Sequence, residues 1–79
     1  MTTPTTEIAT ITLRAMRAKL EEAAAIARAA EGLAADGQPG RALMMALDVE
    51  PLAVEANGLL QGLAVLNRIA RGEQNETGR

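Results

Sequence analysis

The cluster Asp36-Gly37-Gln38-Pro39-Gly40 does most to limit what this chain can fold into, because it is the one dense group of turn formers between two long helix-forming runs. Such a cluster supplies a left-handed stop for one helix and a start for the next. Upstream, no proline intervenes between Thr5 and Ala35, and the one glycine, Gly32, falls in the last turn. Thr5 or Thr6 suits the N-cap, with Glu7 complementing the helix dipole. A helix of about 30 residues runs ~45 Å.

Downstream, a second helical region covers residues 41–71 and has an internal joint. Pro51 disfavours helical geometry at Glu50, and Asp48 is placed to cap a fresh helix with Pro51 in its first turn. Two readings follow: a kink or short break near residues 48–51, which we prefer, or a separate short helix at 41–47. Met1 to Thr5 reads as a disordered lead, and the polar stretch Gly72 to Arg79 as a frayed, flexible tail. Residues 6–71 then form one domain with its turn at 36–40.

At 100° per residue the first helix carries an apolar row of Leu13, Met16, Leu20, Ala23, Ala27, Ala30 and Ala34. Ile8, Ala15, Ile26 and Leu33 form a second apolar edge, opposite Arg14, Arg17, Glu21 and Arg28. The second helix repeats this with Leu52, Ala56, Leu59, Leu63, Leu66 and Ala70, flanked by Val54, Gly58, Gly62, Val65 and Ile69. Its polar side holds Glu50, Asn57, Gln61, Arg68 and Arg71. The fold class is all-α: an antiparallel helical hairpin.

Each apolar face is wider than one contact stripe, and the first helix offers mostly alanine after Leu20. Apolar burial at ~25 cal/mol per Å² then struggles against ~1.5 kcal/mol per ordered residue. The chain has no Cys and no His, so disulfides and the usual metal ligands are not available to make up the difference. Association is the expected remedy, most simply a homodimeric four-helix bundle. Gly58 and Gly62, four residues apart, suit a close helix crossing, which would offset the ~1 kcal/mol that a helical glycine costs.

Function classes are narrowed by absence. The 79 residues include no His, Cys, Ser, Phe, Tyr or Trp, the groups that supply most nucleophiles, acid–base catalysts and stacking platforms. Lys19, the only lysine, lacks helpers for Schiff-base chemistry, and Glu21/Glu22 diverge around the helix. We expect no enzyme, no cofactor and no metal. The net charge of −2, pI of about 5.0 and interleaved Arg14, Arg17, Glu21, Arg28 and Glu31 give no basic patch for nucleic acid. The charge-free run Ala56–Asn67 is interrupted by Asn57 and Gln61 and is too short for a membrane span. The N-terminus lacks a signal-peptide pattern, so a cytoplasmic location is expected. The Ala/Gly/Arg-rich usage points to a bacterial source.

Three features carry the functional expectation. Leu43, Met44, Met45 and Leu47 point in nearly all directions around a helix, so one contact cannot bury them. Unbranched Met suits adaptable binding surfaces. With the leucines at 52, 59, 63 and 66 they form the expected interface, either self-buried between subunits or open to a heterologous helical partner. Lys19 and Glu55 interrupt their apolar faces and fall within a turn of each other in a hairpin centred on Gln38. They are expected to form a register-setting interhelical ion pair, or else to reach to the rim separately.

Ala42-Leu-Met-Met-Ala-Leu-Asp-Val-Glu-Pro51 resembles the end of a tetratricopeptide repeat, with its Ala-x3-Ala-Leu spacing before a closing proline and Leu60 where the next repeat places a leucine. The resemblance covers under half of the chain, and the turn at 36–40 and the lack of aromatics depart from that pattern. The overall plan is similar to the small hairpin co-chaperones of type III secretion in size, turn placement and amphipathicity. That resemblance implies a co-chaperone that keeps a helical partner soluble. The residues themselves point first to a non-catalytic interaction module, a small adaptor or assembly subunit.

Overall fold

A computed structural model describes the backbone of residues 4–77 and the side chains of residues 4–72. Three helices follow one another: α1 (Pro4–Ala35), α2 (Pro39–Ala46) and α3 (Val49–Thr77). α1 folds back against both α2 and α3, so α2 and α3 together form the second arm of a hairpin.

The first reversal follows from Gly37. Its φ of +81° is the left-handed geometry that glycine adopts without a Cβ clash. With Gly37 in place, the Gln38 N–H donates to the Leu33 carbonyl at 2.9 Å and the Gly37 N–H donates to the Ala34 carbonyl at 3.1 Å. This is a Schellman closure that satisfies carbonyls at the end of α1. Pro39 then opens α2, where a missing N–H does no harm. Arg41 Nη1 donates to Gln38 Oε1 at 2.8 Å across the start of α2.

The joint in the second arm is a tight one. Leu47 keeps helical angles, φ −63° and ψ −24°. The N–H groups of Leu47, Asp48 and Glu50 each donate to the carbonyl three residues back, at 3.0–3.3 Å. The chain therefore tightens for one turn, and Pro51 sits inside the first turn of α3. The second arm is thus one long kinked run with a short break at residues 47–48, the preferred of the two sequence readings, and the break sets Pro39–Ala46 off as a short helix. The long helices also overrun their expected limits. α1 starts at Pro4 instead of behind a cap at Thr5 or Thr6, and α3 continues past Arg71 to Thr77. Met1 to Thr3, Gly78 and Arg79 lie outside the described residues.

The seam of α3 follows its predicted row: Leu52, Ala56, Leu59, Leu63, Leu66 and Ala70 are buried or half-buried, as is Val49. The seam of α1 does so only in part, at Met16, Ala23 and Ala30. It runs through Ala9, Thr12, Met16, Lys19, Ala23, Ile26, Ala30 and Leu33. Leu13 and Leu20, expected inside, remain 48% and 49% exposed, and Ala27 and Ala34 are exposed with them. The helix is rotated by half a heptad step from the expected row. That rotation brings the branched Ile26 and Leu33 inward at the turn and sets Lys19 against α3. Thr12 tolerates its seam position because its hydroxyl donates to the Ile8 carbonyl at 2.8 Å.

The interior that results is thin. The buried apolar residues are Ala30, Ala42 and Ala56, and no large side chain among the described residues is fully buried. The Cα radius of gyration is 18.3 Å, against about 12 Å for a compact domain of this length. The chain exposes 6120 Å², where a folded monomer of 8.2 kDa exposes about 4,500 Å².

Candidate interaction surface

Two flanks rise on either side of the seam. Writing both seams as heptads places Ala9, Met16, Ala23 and Ala30 at a in α1, and Val49, Ala56, Leu63 and Ala70 at a in α3. Antiparallel pairing brings the g positions of both helices to one flank and the e positions to the other. Lys19 bears this out: its Nζ lies 2.8 Å from Glu55 Oε2, a g position, and it also feels the charge of Glu22, the g position facing Glu55 across the seam.

This ion pair is the one charged contact between the two arms among the described residues. Both side chains are partly exposed, so the contact adds little energy in water. The hydrogen bond and charge of Glu55 hold the Lys19 ammonium above the ordinary lysine range. Arg17 Nε lies 3.5 Å from Glu21 Oε1 on the outer surface of α1, an i,i+4 pair in open solvent.

The g flank carries Ile8, Ala15, Glu55, Gly62 and Ile69, with Ile11, Ala18, Gly58 and Val65 in the adjoining c row. All four glycines inside α1 and α3 that the structure describes (Gly32, Gly58, Gly62 and Gly72) fall on this side. A Cβ built on any of them meets nothing within 4 Å. The close crossing expected at Gly58 and Gly62 is therefore not a feature of the hairpin itself, since α1 does not approach them. The e flank holds Leu13, Leu20 and Leu60, but its outer row is polar, with Arg17, Glu31, Glu50, Asn57 and Arg71.

The expected interface divides in two. Leu52, Leu59, Leu63 and Leu66 are half-buried in the hairpin seam. On α2, Ala42 is buried and Met45 half-buried, while Leu43, Met44 and Leu47 stand 71%, 69% and 62% exposed at the turn end. A helix that touches its neighbour along one stripe leaves its remaining apolar residues in water. Sequence reasoning missed Ile8 and Ile11 as surface groups. The signal was present in the heptad register, once Lys19 is placed on the seam.

Two shallow depressions open along the outer side of α1, lined by Thr10, Leu13, Arg14 and Arg17 and by Thr6, Glu7, Thr10, Ile11 and Arg14, with volumes of ≈190 and ≈280 Å³. Neither draws on a second helix. Among the described residues no three His, Cys, Asp or Glu side chains gather as a metal site. No described helix is long and apolar enough to cross a membrane. Compared with known proteins, the chain matches no family model, no curated protein and no solved structure.

Proposed function

We propose that this chain is a non-catalytic helical interaction module, a small adaptor or assembly subunit whose hairpin is completed by packing against another helical surface, in the simplest case a second copy in a four-helix bundle. One observation carries the reading. Among the described residues, eleven large apolar side chains are 47–71% exposed, whereas the buried interior consists of three alanines. Scattered exposed apolar residues are ordinary, but contiguous rows of them on a hairpin without a core mark a surface meant to be covered. The test is light scattering coupled to size exclusion over a hundredfold concentration range, with circular dichroism on the same fractions. A helical dimer at all concentrations supports self-completion. A stable, fully helical monomer throughout removes it.

A second reading rests on α2. Leu43, Met44 and Leu47 form an open apolar end beside the turn, and methionine fits partners of varied shape. A co-chaperone subunit that holds a helical partner would use such an end.

A further inference from the structure

We infer that the second copy docks on the glycine-bearing g flank, with the bulky half of one copy seated on the flat half of the other. The inference rests on the reading that the hairpin is completed by association, and it names the face and the geometry.

The surface area sets the scale. The chain exposes about 1,600 Å² more than a compact monomer of its mass, and a standard interface takes about 800 Å² from each partner. Residues 8–18 and 58–69 cover only about 16 Å along each helix, so they supply the centre of such a contact, and the rest comes from the flank on either side along a long axis of 63 Å.

Charge then separates the flanks. The outer row of the e flank carries Arg17, Glu31, Glu50 and Arg71, whose charges would be stripped of water in a packed interface. Among the residues of α1 and α3 whose side chains the structure describes, the charges on the g flank are Glu22 and Glu55, gathered around Lys19 at one level. From there toward the open end, over residues 8–18 of α1 and 58–72 of α3, the described flank is uncharged.

Shape identifies the occupant. That uncharged stretch has two halves of similar length. The half nearer the turn is flat, built of Ala15, Ala18, Gly58 and Gly62, and the half nearer the open end is bulky, built of Ile8, Ile11, Val65 and Ile69. A twofold rotation about an axis between the halves lays bulky on flat at both ends. That self-complementarity is what an isologous contact requires. It also gives the glycines a purpose that the hairpin does not, because open space surrounds Gly58 and Gly62 in the single chain. Glycine in mid-helix weakens the helix, and close approach by a neighbouring side chain is the compensation.

The test is the double variant Gly58→Gln/Gly62→Gln in the full chain, beside Leu13→Gln/Leu60→Gln on the other flank. Glutamine is the better helix former and its Cβ meets nothing within 4 Å in the single hairpin, so the double glycine variant should fold at least as well as the parent. We expect its dimer dissociation constant to rise about a hundredfold, with helicity at least retained, since bulk at the centre of a contact removes its best-packed region. The e-flank variant should associate like the parent. A parent dimer that the glycine variant leaves equally tight overturns this inference and leaves self-association standing, as does a parent dimer lost only in the e-flank variant. A parent chain that stays monomeric at every concentration overturns both.

Discussion

The two arms of the hairpin meet along one seam but bring opposite materials to it. α3 turns its leucines inward: residues 52, 59, 63 and 66 are half-buried, with Ala56 buried among them. α1 turns inward two threonine-and-alanine turns, Met16 and a lysine before reaching Ile26 and Leu33, and leaves Ile8, Ile11, Leu13 and Leu20 in water. α3 therefore turns more of its large apolar residues into the seam than it exposes, whereas α1 leaves more of its own in water than it turns in. Rotating α1 to bring Leu13 and Leu20 inside would turn Ile26 and Leu33 out and carry Lys19 away from Glu55, so the seam trades one pair of large apolar residues for another.

The contrast breaks most readily at leucine. Leu63→Ala in the α3 seam should cost about 2 kcal/mol, less than a fully buried leucine because the side chain is half-exposed. For a domain of this size that is roughly 10 °C in Tm. Leu20→Ala on α1 should cost no more than about 0.5 kcal/mol, as expected for a surface position. Urea unfolding of both variants at one protein concentration makes the comparison. Equal losses would mean that α1 packs on its leucine row after all and that the two arms are alike.

The difference between the arms also explains which parts of the fold were legible in the sequence. In α3 the large residues and the seam coincide, so the 3,4 spacing of its leucines marks the buried row without ambiguity. In α1 the large residues lie beside the seam, and the row drawn through Leu13 and Leu20 is displaced by one position. Alanine repeats at nearly every angle around that helix, so a rotation of about 50° changes its buried apolar area little and periodicity has little to fix on. What fixes it is tertiary: Lys19 meets Glu55, and Ile26 and Leu33 close the turn end. The glycine flank is visible only after that rotation is known, which is why Gly58 and Gly62 read from sequence as an undirected crossing. The reversal at Gly37 was legible because its chemistry is local. The two-residue break at Leu47–Asp48 was only half so, since Pro51 allows a kink and a break alike.

The turn offers a smaller test that leaves both arms intact. Gly37→Ala places a Cβ on a residue with φ +81° and should cost about 1 kcal/mol, read as a few degrees in Tm. Gly40→Ala, three residues on, meets nothing within 4 Å, has no positive φ and lies inside α2. It should be neutral or slightly stabilising. If the two substitutions behaved alike, the Schellman closure would not be what separates α1 from α2.

The smallest expected effect belongs to Lys19, and the composition makes it clean to measure. The ammonium is held above the ordinary lysine value of 10.5 by its hydrogen bond to Glu55 and by the charge of that carboxylate. A lysine whose value is raised on folding contributes stability that is complete below pH 10.5 and is lost as pH climbs through the folded-state value. The chain has no tyrosine, no cysteine and no second lysine, so no other side chain but arginine titrates in the alkaline range. The melting temperature of the parent should therefore decline above pH 10.5, whereas Lys19→Met should lack that decline. At neutral pH the two should melt within a few degrees of each other, because a partly exposed pair adds little and a methionine on the seam restores apolar contact. If register is what the pair supplies, Lys19→Met should keep its helicity but broaden its unfolding transition, the seam of α1 now being free to slide toward Leu13 and Leu20. An equally sharp transition in the variant would assign the register to Ile26, Leu33 and the turn alone.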